Sequence, residues 1–134
     1  MARAKKLNDR LPPFVALTWG ILNSKAYKDL TPSAAKELPY FLGKVKLPFN
    51  NTQRYLVKFD LSYTEAKRYG FATTTHHRTI CQLVEKGFID PVERGGLRSD
   101  GRSYNIFYLS KRWENYGGDD FNKIDWKRFF PKYK

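Results

Sequence analysis

The sequence predicts an α+β fold, mainly α, in which several helices precede a two- to three-stranded antiparallel hairpin and a short C-terminal helix. Three observations carry this. Residues 60–89, DLSYTEAKRYGFATTTHHRTICQLVEKGFI, read as two helices joined by a glycine-containing turn. Two strand-like runs, 88–93 and 103–110, flank a tip holding three glycines and three arginines. Upstream, Thr31-Pro32 marks a further helix start, with Thr31 as N-cap and Pro32 in the first turn.

Taken in order, residues 1–13 form a basic arm ending at Pro12-Pro13, a pair that breaks helix and favours extended chain. From Phe14 to about Asp29, Val15, Trp19, Leu22 and Tyr27 recur at roughly helical spacing, which predicts one core helix. After Thr31, the residues Ala34, Ala35, Leu38, Phe41, Leu42 and Val45 trace an apolar face. Pro39 lies inside that pattern and predicts a kink or a restart. Residues 48–54 are polar and turn-rich, and Tyr55–Phe59 has the composition of a short strand.

Ser62 precedes Glu65 by the capping-box spacing, so a short helix is expected from there to Tyr69, ended at Gly70. The turn Gly70-Phe71-Ala72 leads to a second helix capped by one of Thr73–Thr75. Ile80, Leu83 and Val84 form its buried stripe, and Gly87 stops it. Its outward face carries Thr74, Thr75, His77, Arg78 and Gln82, side chains that suit base edges in a major groove. A hairpin with a cationic tip directly after such a helix pair is a wing. Arg94, Arg98 and Arg102 are its expected contacts to DNA backbone or minor groove, with Lys67 and Arg68 alongside and Arg3, Lys5, Lys6 and Arg10 as a steering arm.

The 134-residue chain carries 25 Lys+Arg against 13 Asp+Glu, a net charge of +12, which draws it toward polyanions. That charge is not spread evenly. Residues 61–93 hold four basic and four acidic groups, whereas 94–112 hold five and one. The helix pair is therefore expected to read sequence while arm and wing supply affinity.

The stretch from Leu22 to Tyr116 resembles winged helix-turn-helix domains of bacterial and phage replication-initiator-like proteins and of helix-turn-helix proteins of mobile elements. SKAYKDLTPSAAKELPYFL, SYTEAKRYGF, TTTHHRTICQLVEKGFIDP, GGLRSDG and FYLSKRWENYG carry the resemblance. It implies duplex DNA as partner, in transcriptional control or replication-origin recognition, with one winged domain over 14–116. Residues 117–134 then form an aromatic and basic tail that packs on the domain or on a partner, a homodimer among the options. An RNA-binding module and a protein-interaction domain of a replication or phage complex are the rivals.

Other chemistry finds little footing. His77, Cys81 and Glu85 stand at i, i+4 and i+8, but no second His/Cys pair exists to close a zinc site, so no metal and no cofactor are expected. Asp60, Asp90, Glu93 and Asp100 are spread over separate elements, only Asp90 and Glu93 sharing one strand, and no GxxxxGK[ST] loop occurs, so the chain is read as non-enzymatic. A single cysteine excludes an intrachain disulfide, and the apolar run Leu11–Leu22 is too short to span a bilayer. A cytoplasmic, nucleoid-associated protein without membrane contact is the expectation.

Overall fold

The computed structural model describes residues 12–94 and 105–129. Among the described residues five α-helices run in the order α1 (Trp19–Leu22), α2 (Lys25–Lys28), α3 (Pro32–Leu42), α4 (Tyr63–Arg68) and α5 (Thr73–Lys86), followed by strands β1 (Ile89–Glu93) and β2 (Ile106–Leu109). Short 3-10 turns occupy Thr52–Leu56, Arg112–Asn115 and Trp126–Arg128. The fold is α+β and mainly helical, with one two-stranded antiparallel sheet among the described residues.

The single helix expected over 14–29 is two one-turn helices. Ser24 divides them: its Oγ accepts from Tyr27 N at 3.1 Å and donates to Ile21 O at 2.7 Å, bonds that replace helical continuation. Ile21 and Ala26 are buried, while Trp19 stays 76% exposed. Helix α3 starts as expected, with Thr31 Oγ1 accepting from Ala34 N at 3.2 Å, but it neither breaks nor restarts at Pro39. The expected strand at 55–59 is a 3-10 turn followed by extended chain, and Phe59 alone bridges to Phe107.

The sheet accommodates its own proline through register. Ile89 faces Leu109, Asp90 faces Tyr108 and Pro91 faces Phe107, with an irregularity before Glu93 meets Ile106. Phe107 gives both backbone groups to Phe59, each at 2.9 Å, and so turns neither toward β1. Pro91 thus occupies a non-hydrogen-bonded pair where a missing N–H is not felt.

Phe41 of α3 lies at the centre of the core, edge-on to Phe59 and Phe107 and stacked on His76 of α5, with ring centroids 5.8–6.4 Å apart. Leu38, Ile80, Leu83, Val84, Phe88, Ile89 and Leu109 complete one continuous cluster. Deleting a ring such as Phe41 from this packing would cost about 3–5 kcal/mol. The last described segment joins the same core: Trp126 is 2% exposed, with Phe107 and Phe129 against it.

Candidate nucleic-acid interface

Helices α4 and α5 are set by their caps and by α3. Ser62 Oγ accepts from Glu65 N at 3.0 Å, as the spacing requires. The Glu65 carboxylate turns to Lys44 Nζ at 2.7 and 2.9 Å and also accepts from the Tyr69 hydroxyl, so it ties α4 to the end of α3. Burial works upward on the Glu65 carboxyl, but the hydrogen bond and charge of Lys44, with Tyr69 and Arg68, outweigh it and hold the group below the usual carboxylate range. Gly70, at φ +98°, makes the turn, and Phe71 N returns to Ala66 O at 2.9 Å.

The start of α5 differs from expectation. Its N-cap is Ala72, which makes no side-chain cap bond, and Thr73, Thr74 and Thr75 all lie inside the first turn. No acid stands there either. The first amides of a helix have no intrahelical acceptor, so this end presents N–H donors and the positive pole of the helix.

The inner side of α5 buries His76, Thr79, Ile80, Leu83 and Val84. His76 is a structural residue that sequence reading missed. Its Nε2 donates to Leu61 O at 2.9 Å, and its Nδ1 lies 2.5 Å from Glu37 Oε2, with both side chains fully buried. The signal was present. Glu37 and His76 each interrupt an apolar stripe, and a buried charge or imidazole needs a polar partner.

Arg78 and Thr74 lie on the outer side and are exposed, while Thr75, His77 and Gln82 are half-buried. Gln82 has a second employment: its Oε1 accepts from Thr31 N at 3.2 Å and so supports the start of α3. His77 lies 4.0 Å from Cys81 on the opposite flank. Burial, then the charges of Arg94 and Lys127, pushes its pKa below the ordinary 6.5. Burial also pushes the Cys81 thiol upward, away from the reactive thiolate. Among the described residues no three His, Cys, Asp or Glu side chains are grouped to hold a metal ion, and no helix is long and apolar enough to cross a membrane.

Arg94 is also occupied within the chain. Its guanidinium sits over the Trp126 ring at 5.1 Å and donates to Trp126 O and Lys127 O at 2.9 and 3.0 Å. Arg94 thereby joins the end of β1 to the Trp126 turn. Lys67 and Arg68 are exposed on α4. Arg98 and Arg102 of the hairpin tip, and Arg3, Lys5, Lys6 and Arg10 of the arm, lie outside the described residues.

The far end of α5 is closed. Gly87 adopts φ +91°, and a Cβ there would meet Trp113 N at 2.6 Å. Phe88 N reaches back to Leu83 O at 2.9 Å, and Trp113 N donates to Gly87 O at 3.0 Å. Arg112, not singled out in the sequence, pairs with Asp90 and donates to Val84 O, Ile89 O and Asn122 O at 2.9 Å each. One guanidinium thereby joins the end of α5, the start of β1 and the chain's last segment. No protein-family model matches the chain, and no curated protein and no solved structure matches it.

Proposed function

We propose that this is a non-enzymatic duplex DNA-binding protein with a winged helix-turn-helix domain, acting in transcriptional control or replication-origin recognition on a mobile element. The observation that carries the reading is the two-sided character of α5. One side is locked into the core by His76, Ile80, Leu83 and Val84, while the other exposes Arg78 and Thr74 beside an uncapped N-terminal turn. A rigid helix with an arginine at its centre and free amides at its start suits both halves of recognition. Arg78 can bond guanine O6 and N7, and the N-terminal amides can bond a phosphate. Thr74 and Thr75 offer hydroxyl and methyl to neighbouring bases, and His77 flanks them. Gln82 contributes through the amide nitrogen that Thr31 does not use.

Exposed Lys67 and Arg68 on α4 fit phosphate contacts beside this helix, and Arg98 and Arg102, outside the described residues, are proposed as further backbone contacts. The +12 net charge provides the long-range attraction.

Selection of bound duplexes from a random pool, followed by Arg78→Ala, tests this. The substitution is expected to cost about 1–3 kcal/mol on the selected site and to flatten sequence preference, with an unchanged unfolding midpoint. Equal losses on selected and random duplex would remove Arg78 from base reading. Preference for structured RNA over duplex in competition would overturn the partner.

A further inference from the structure

The last described segment of the chain runs along one flank of α5. The 3-10 turn Trp126–Arg128 packs against that helix. Its backbone is fixed three ways: Trp126 is plugged into the core, Asp125 Oδ1 accepts from Lys127 N at 3.0 Å, and Arg94 holds the carbonyls of Trp126 and Lys127. The fold uses the ring and the carbonyls of this turn but leaves both cationic side chains outside. Lys127 and Arg128 are exposed, and the Arg128 side chain keeps 86% of its surface. Arg128 meets Asp125 only at 3.7 Å on the surface, an arrangement worth little to stability.

The turn packs against α5, and Lys127 lies on the His77–Cys81 flank of that helix, where its charge reaches both side chains. On a helix that flank lies to one side of Arg78 and Gln82 lies to the other. Farther along α5, exposed Glu85 pairs with Lys86 at 3.6 Å, so the two charges at that end of the helix offset one another.

We propose that Lys127 and Arg128 are phosphate contacts, making the C-terminal turn a second backbone clamp for duplex DNA beside α5. This rests on the DNA-binding reading above and extends it to a segment outside the helix pair and hairpin. Anchoring two cations on a rigid turn lowers the ordering cost of each contact relative to the same residues on a loose chain end.

The test is duplex binding by the full chain over a range of salt concentrations, comparing wild type with Lys127→Ala/Arg128→Ala, which keeps Trp126. The double variant is expected to lower the slope of log K against log salt by about two units and to weaken binding roughly 50-fold at 0.1 M salt. Arg128→Ala alone should lower the slope by about one unit. A charge-matched control, Lys25→Ala/Lys123→Ala beside the Tyr116 cleft at the other end of α5, should leave the slope unchanged. An unchanged slope in the double variant overturns the clamp while leaving the DNA reading intact. An equal fall in the control also overturns it, because affinity would then follow net charge alone. Wild type without salt-dependent duplex binding overturns the DNA reading and the clamp together.

Discussion

The two ends of α5 are built in opposite ways. At the C-terminal end Gly87 turns the chain against the backbone of Arg112 and Trp113, Arg112 caps the Val84 carbonyl, and Phe88 stacks on Trp113. At the N-terminal end Ala72 supplies no cap, three threonines fill the first turn, and Arg78 faces out one turn later. One end bonds its polar groups within the protein, and the other has no side-chain cap. A helix needs one end fixed if the other is to meet a ligand in a set orientation, because local fluctuation at the anchored end would be carried along the rod.

The largest effect expected from breaking this asymmetry is at Gly87. Gly87→Ala forces a side chain into the positive-φ region and against backbone atoms at 2.6 and 2.8 Å. It should cost about 3 kcal/mol or more, read as a lower denaturation midpoint. Gly70 has a similar φ of +98° but nothing within 4 Å of an added Cβ. Gly70→Ala should cost only about 1–2 kcal/mol, the conformational part alone. Equal losses at the two glycines would show that the closed end is not held by the Arg112–Trp113 contact.

A smaller change sharpens the comparison at the open end. Ala72→Asp supplies the missing cap and an acid at the positive pole, and should raise stability by about 0.5–2 kcal/mol. The same substitution should weaken duplex binding, because the carboxylate occupies the amides that a phosphate would take. A stabilised variant with unchanged affinity would separate the uncapped end from function.

How far the sequence reached follows the same division. Caps and stops with local chemistry were legible: Thr31-Pro32, Ser62 with Glu65, Gly70 and Gly87 all act where their spacing places them. Features decided by distant partners were not. Glu65 satisfies the capping-box spacing, yet its carboxylate goes to Lys44, and nothing near residue 65 announces that. One local feature also escaped: periodicity over 14–29 predicted one helix because apolar spacing does not register the bonds to Ile21 and Tyr27 by which Ser24 interrupts it. Among the candidate contacts, Thr74 and Arg78 stand out on the open surface, whereas Gln82 and Arg94 turned out to serve Thr31 and the Trp126 turn. A polar residue on an outward face can always be claimed by another part of the chain, and only tertiary structure shows which ones are.

The smallest expected effect is a protonation change at His77. Its folded pKa lies below the ordinary 6.5, from burial first and then from Arg94 and Lys127. Between the two values the unfolded chain holds a proton that the folded chain does not. This contribution to stability is therefore present above about pH 6.5 and lost as pH falls through that window. Phosphates near this flank would offset the two positive charges and raise the pKa again. In a proton NMR titration the His77 midpoint should move upward when duplex is added, and binding should tighten as pH falls. A midpoint that duplex leaves in place would set His77 apart from the interface.

The most direct measurement is a residue-by-residue map of backbone amide shifts as duplex DNA is added at low salt. Changes should concentrate at Thr73–Arg78, with the amides of Leu83–Gly87 nearly still. A map centred on the Lys86–Tyr116 end, or an even drift along the whole of α5, would contradict the claim that the open end of this helix is where nucleic acid sits.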